Sequence, residues 1–198
     1  MSTPISHTPE PPVDDEDGEI TLGVSITVPE PHASELTHWR VKIGDPLANL
    51  VEPHITLIPP TAIPVAQLSD VLDRLRWHAA RHHDFTLHLR GTGTFRPISD
   101  VVFVAVSQGI SACEILADDL RFGPLEVPLQ FPYHPHVTVA HNVSEDYLDE
   151  AYEGLEGFRA NLVVDQVAVH RQNDNGSWDR IATYPLAKGS LRNATSTR

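Results

Sequence analysis

A four-residue phrase occurs twice in this chain, His54-Ile55-Thr56-Leu57 after Pro53 and His136-Val137-Thr138-Val139 after Pro135, with the two histidines 82 residues apart. No other feature limits the fold so tightly. Successive side chains of a β-strand point to opposite faces, so each copy puts an imidazole and a hydroxyl on one face and two aliphatic side chains on the other. One copy is compatible with an ordinary half-buried strand. Two matching copies almost half a chain apart predict a pseudo-symmetric molecule whose lobes bring both polar faces to a shared cleft. A cleft with two imidazoles and two hydroxyls suits phosphate chemistry.

The pattern around the motifs alternates strand and helix. Ile20, Leu22, Val24, Ile26 and Val28 fill every second position before Pro29, the mark of a strand with one buried face. Pro31 suits a first helical turn, and Leu36, Trp39 and Ile43 recur at helical spacing until Gly44 and Pro46. The first motif strand is expected to close at Pro59-Pro60. Leu68, Val71, Leu72, Leu75 and Ala79 mark an amphipathic helix, followed by strands at Phe85–Leu89 and Val101–Val106. Ile110, Cys113, Leu116 and Leu120 share a helical face ahead of the second motif, and Ser144 is placed to cap a helix carrying Leu148, Ala151, Tyr152 and Leu155. Asn173-Asp174-Asn175-Gly176 predicts a hairpin turn between Val163–Arg171 and Trp178–Pro185. This order, β-α-β-α-β-β-α-β-α-β-β, predicts an α+β fold with mixed or antiparallel sheets rather than a doubly wound parallel one.

The chain's 198 residues suffice for one compact unit or two small lobes sharing a core. Residues 1–18, rich in Pro, Ser, Thr and acids, cannot bury enough apolar surface to offset the entropy of ordering and are expected to be a disordered tail. A single catalytic domain is expected over 19–186, and a flexible tail over 187–198. The net charge of −13 argues against wrapping long nucleic acid, since backbone binding is driven by clustered Lys and Arg. Six of the acids lie in the first nineteen residues, yet the remainder still carries more acids than bases, so small ligands or nucleic-acid ends are the expected partners. No apolar stretch approaches the ~20 residues of a membrane span. The start lacks a secretory pattern and Cys113 stands alone, so the expectation is a cytoplasmic protein without an intramolecular disulfide, and a monomer.

With a pKa near ~6.5, one histidine can be free to take a proton around neutrality while another is charged and ready to give one. Cleaving a phosphodiester requires deprotonating the attacking oxygen and protonating the leaving one on opposite sides of phosphorus, which His54 and His136 on facing strands can do without a metal. Thr56 and Thr138 can donate to the non-bridging oxygens, where charge accumulates. The glycines of Gly91-Thr92-Gly93-Thr94-Phe95-Arg96-Pro97 are not followed by Gly-Lys-Ser/Thr, so a nucleoside triphosphatase loop is excluded.

These residues resemble the 2H phosphoesterase superfamily, named for two His-x-Thr/Ser-x motifs, and within it the 2′-5′ RNA ligase-like branch that includes RNA 2′,3′-cyclic phosphodiesterases. The resemblance rests on Pro53-His54-Ile55-Thr56-Leu57 and on Tyr133-His134-Pro135-His136-Val137-Thr138-Val139-Ala140. It implies a bilobal α+β fold with a central cleft and outer helices, two catalytic histidines, two threonines that hold phosphate, and no cofactor. It further implies a substrate that is an RNA terminus or small nucleotide bearing a 2′,3′-cyclic phosphate, opened to a 2′-phosphate, with reversible 2′-5′ ligation in some members. On that scheme His136 activates water and His54 protonates the leaving group, the reverse order remaining open.

Further candidates come from position. Tyr133 is placed to bond phosphate or stack on a base, or simply to pack at a strand entrance. Arg96 is placed to carry positive charge to phosphate from a glycine-containing loop, and Phe95 to offer a stacking face. His134 shares strand parity with His136 and is expected to line the cleft, whereas His141 has opposite parity and is expected on the other face. Two other functions fit the same residues: a non-catalytic binder of phosphorylated nucleotides or RNA ends, and a metal site at His54, His134, His136 and His141. The second lacks helical ligand spacing.

Overall fold

The structure, a computed structural model, describes residues 18–189. In chain order it comprises β1 (Glu19–Thr27), α1 (His32–Lys42), β2 (His54–Pro64), α2 (Leu68–Ala79), β3 (Phe85–Thr94), β4 (Val101–Gln108), α3 (Ile110–Asp119), β5 (His136–His141), α4 (Glu145–Gly154), β6 (Arg159–Val164), β7 (Gln166–Gln172) and β8 (Trp178–Pro185). The fold is α+β, as the alternation predicts. All eight strands join one sheet in the order β6-β3-β4-β5-β2-β1-β7-β8, and every neighbouring pair is antiparallel. Among the described residues no helix is long and apolar enough to cross a membrane.

The duplicated phrase marks a duplicated layout. In β1-α1-β2 and again in β4-α3-β5, a helix connects two antiparallel neighbours, and the second strand of each unit begins with the motif histidine. Those two second strands meet at the middle of the sheet, leaving four strands on each side of the β2–β5 boundary. A single registered pair joins the halves there, Ile55 with Val137. Ile55, Leu57, Val137 and Val139 are fully buried and share one core with Leu36 of α1, Leu75 of α2, Leu116 of α3 and Leu148 of α4. Each such side chain stabilises the fold by roughly 1.5–3 kcal/mol. Burying these aliphatics leaves the interleaved histidines and threonines no choice of face.

Several elements differ from the sequence-based expectation. β2 does not close at Pro59-Pro60 but continues to Pro64. The register steps from Val24 opposite Ile58 to Leu22 opposite Thr61, so both prolines face Gly23 alone in a bulge, where their missing N–H groups break no ladder bond. Gly91–Thr94 is not loop but the end of β3, with Thr92 opposite Val104 and Gly93 opposite Phe103. The expected Val163–Arg171 strand is two strands: β6 pairs with β3 in one half of the sheet and β7 with β1 in the other, with Asp165 at the break. Tyr152 is exposed on α4, whose buried residues are Leu148 and Ala151. Of the expected tails, 1–18 and 187–198, residues 1–17 and 190–198 lie outside the described residues. The boundary at 186 falls short of the last backbone ties, because Ala187 bonds to His82 and Asp84, and the Gly189 N–H donates to Asp84.

The segment between α1 and β2 sets the approach to the first motif. Arg40 and Asp45, both buried, form an ion pair at 2.7 Å; Arg40 also donates to the carbonyl of Val51 at 2.5 Å, and Asp45 accepts from the N–H of Leu47 at 2.9 Å. The turn is thereby fixed at its start and just before Glu52-Pro53. Arg40→Met should cost about 3–5 kcal/mol by leaving a carboxylate buried alone, and Arg40→Met combined with Asp45→Asn should cost less than that single change, read as urea midpoints at constant m.

Candidate active site

The antiparallel pairing of Ile55 with Val137 determines what surrounds it. One residue out on each side, His54 falls across from Thr138 and Thr56 across from His136, so each histidine faces the other motif's threonine. The histidines are then diagonal neighbours, for which regular strand geometry gives a Cβ separation of ~7–8 Å. All four side chains line one cavity of about 180 Å³, together with Arg40 and His141. A larger cavity of about 770 Å³ adjoins it, sharing Glu52, His54, Thr56 and His141.

The two imidazoles are held identically. His54 Nδ1 lies 2.7 Å from the carbonyl oxygen of Glu52, and His136 Nδ1 lies 2.7 Å from that of His134. A carbonyl only accepts, so Nδ1 carries the hydrogen in both rings and Nε2 is the atom free for proton exchange. Both pKa values are pushed below 6.5. For His54, burial is the main cause, opposed by the Glu52 carbonyl and aided by the Arg40 charge; for His136, burial leads again, opposed by the His134 carbonyl and aided by the charges of His134 and His54.

The remaining predicted residues are placed unequally. The Phe95 ring meets His136 edge-on at 4.9 Å and Phe103 at 4.5 Å, so it buttresses the second histidine. Gly93 makes room for this packing, since a Cβ there would sit 2.5 Å from the Phe103 ring. His134 joins the same aromatic group, 6.2 Å from His136 between ring centroids, and contributes its carbonyl rather than a ring at the cavity wall. Tyr133 donates its hydroxyl to the carbonyl of Thr56 at 2.9 Å, tying the approach to β5 onto β2, and burial pushes its phenol pKa up. Arg96 is outside the cavity lining and forms an ion pair with Asp149 at 2.8 Å.

His141 is on the cleft side, contrary to its parity. Val102 pairs with Ala140 but Phe103 pairs with Thr138, so Val139 is an extra residue in β5 and the alternation is inverted beyond it. Three further residues at the cleft were not singled out from sequence. Arg40 follows Leu36 by four residues on the buried face of α1, and a charge on an apolar helical face is a readable sign. His170 and Trp178 line the larger cavity, and nothing local marks either. Among the described residues no three His, Cys, Asp or Glu side chains gather closely enough to hold a metal ion.

Comparison with known proteins shows the family and the fold. The family model of the 2′-5′ RNA ligase superfamily matches residues 28–176. A relative from Bacillus cytotoxicus, whose name provisionally assigns it as a phosphoesterase, is 30% identical over 173 residues, covering 85% of this chain and 98% of its own. One from Halalkalibacterium halodurans with the same provisional description is 29% identical over 171 residues, covering 85% and 99%. Among solved structures, E. coli LigT complexed with NADP+ superposes with a TM-score of 0.64 at 21% identity, covering 85% of this chain and 98% of LigT. A Thermus thermophilus protein, TT0787, gives 0.62 at 21% identity, covering 86% and 100%.

Because burial disfavours the charged imidazole, nitrogen-detected NMR of the ligand-free protein should show His54 and His136 as Nδ1–H tautomers that titrate below 6.5; a value above 6.5 for either contradicts the geometry. Unfolded histidines take up protons first as pH falls, so these two sites should make stability rise with pH between their lowered pKa values and 6.5. The His54→Asn, His136→Asn double variant should flatten that slope.

Proposed function

Since the chain belongs to the 2′-5′ RNA ligase superfamily of phosphoesterases, we propose that it opens 2′,3′-cyclic phosphates of nucleotides or RNA ends to 2′-phosphates by acid–base catalysis from two histidines, without a metal ion. The observation that carries this reading is the matched pair of Nδ1-to-carbonyl bonds, which leaves two Nε2 atoms for proton transfer in one cavity. E. coli LigT has been solved with 3′-AMP, with ATP and with phosphate, which supports a nucleotide as the substrate class.

The roles follow from where there is room. The larger cavity opens beside His54 and does not reach His136. The departing O3′ stays attached to its nucleoside, so the nucleoside and the leaving oxygen belong on the His54 side, and the attacking water on the side of His136. His136 Nε2 takes a proton as the water oxygen bonds to phosphorus; the bond from phosphorus to O3′ breaks, and His54 gives O3′ its proton. Thr56 and Thr138 donate to the non-bridging oxygens, with His141 beside them on the same wall. The 5′-hydroxyl of a second nucleotide in place of water, bonding to the same phosphorus as the bond to O3′ breaks, describes 2′-5′ joining. Burial leaves both imidazoles neutral in the empty site, and an anionic phosphate between them favours their charged forms. Substrate binding therefore takes up a proton.

His54→Ala and His136→Ala should each lower kcat for adenosine 2′,3′-cyclic phosphate by ~10²–10⁴-fold with an unchanged thermal midpoint. A chelator should leave the wild-type rate as it is. Unchanged turnover in either variant refutes the assignment, and tight binding with no product over long incubation favours the non-catalytic alternative.

A further inference from the structure

One group of the catalytic cavity has no task in the proton transfers of His54 and His136. Arg40 supplies the only Lys or Arg in the lining of the cavity of about 180 Å³, which it shares with His54, Thr56, His136 and Thr138. It reaches that wall from outside both motifs. On α1 it follows Leu36 by four residues, so the helical repeat that buries Leu36 carries the guanidinium inward too, leaving Arg40 only 6% exposed.

Its ties to the turn do not use up its donors. A guanidinium holds five N–H groups in a planar fork. The Nε group goes to Asp45 and one on Nη1 to the Val51 carbonyl, whereas Nη2 has no hydrogen-bond partner among the described residues and is not sealed from solvent. Stability alone does not call for a charge here, because buried ion pairs are often replaced by apolar residues of similar volume without loss. A cation with spare donors at this wall suits an anionic occupant.

The field of Arg40 also reaches the chemistry. Burial is the main cause of the low His54 pKa, and the Arg40 charge adds to it. With both imidazoles neutral in the empty site, Arg40 is the one permanent positive charge in the lining that an arriving phosphate meets. Asp45 offsets it from the Nε edge, and the other Asp45 oxygen is occupied by the Leu47 N–H.

Resting on the cyclic-phosphodiesterase reading above, we propose that Arg40 is a further catalytic residue, which donates from Nη2 to a non-bridging oxygen of the bound phosphate and stabilises the negative charge that grows there as water bonds to phosphorus. No bond to Arg40 forms and no proton leaves it, since the guanidinium stays charged throughout. Asp45 and the Val51 carbonyl are then what aims the fork.

The test separates the cation from its clamp. Asp45→Asn and the double variant Arg40→Met, Asp45→Asn both abolish the ion pair, but only the second removes the positive charge. By calorimetry, Asp45→Asn should bind inorganic phosphate at least as tightly as the wild type, because the guanidinium loses its competing counter-charge. The double variant should bind it ~10-fold or more weakly than Asp45→Asn, should turn over adenosine 2′,3′-cyclic phosphate with a kcat lower by ~10²-fold, and should show His54 titrating at a higher pH by nitrogen-detected NMR. A role confined to holding the turn predicts the same phosphate binding, kcat and His54 titration in the two variants, and that result overturns the proposal. If Asp45→Asn does not fold, Arg40→Lys replaces it, keeping a charge without the fork; it should retain more phosphate affinity and turnover than the double variant, and equality again overturns the proposal. If the wild type turns over no cyclic phosphate, the hydrolase reading has failed on its own, and phosphate binding alone decides the contact: weaker binding in the double variant than in Asp45→Asn supports it, and equal or absent binding in both overturns it.

Discussion

The architecture turns on one strand pairing, Ile55 with Val137, at the centre of the sheet. Both side chains are sealed in the core, and that burial sets the facing of every residue beside them. With the aliphatic residues drawn inward, the alternating histidines and threonines must emerge together on the opposite surface, and the antiparallel direction places them in crossed positions. The crossed arrangement of imidazoles and hydroxyls is thus a by-product of hydrophobic burial. Residues that make no contact with a substrate, such as Leu57 and Val139, contribute to the site because any slip of register would carry the imidazoles inward.

How much of this was legible depends on whether the signal was periodic or contextual. The two motifs, the helices and the hairpin turn at Asn173–Gly176 all show in the alternation of apolar residues, because burial at period 2 or 3.6 imprints itself on the sequence. What escaped were departures from period. Pro59 and Pro60 suggested an end to β2, yet a bulge opposite Gly23 absorbs both. The extra residue Val139 inverts parity, so His141 reaches the surface that alternation denied it. β6 has its own alternation of buried Ala160, Leu162 and Val164, and it runs into β7 with only Asp165 between them, so one apolar run hid two strands bound for opposite ends of the sheet.

The candidate site was legible at its centre and obscure at its rim. His54, Thr56, His136 and Thr138 line one cavity, as duplication predicted. Tyr133 was selected for nearness in sequence to a motif, and Phe95 and Arg96 for their place in a glycine-containing segment, neither of which decides direction: one is clamped to a backbone carbonyl, one supports an imidazole, and one is paired with Asp149. His170 and Trp178 enter from strands at the far end of the chain, where only tertiary register brings them to His54. The acidic net charge also hid the local balance, in which Arg40 is buried beside the first motif with its charge offset by Asp45.

The twin Nδ1-to-carbonyl bonds impose a recovery step on any cycle that uses both rings. Neither imidazole can swap which nitrogen bears its hydrogen without abandoning its anchor, so protons arrive and depart through Nε2 alone. After one hydrolytic pass the ring that accepted is charged and the ring that donated is empty, the mirror image of the starting state. Before the next pass the enzyme must relocate a proton through water or departing product. The same anchors that orient the chemistry therefore tie its repetition to how readily the cleft exchanges hydrogen ions with bulk solvent.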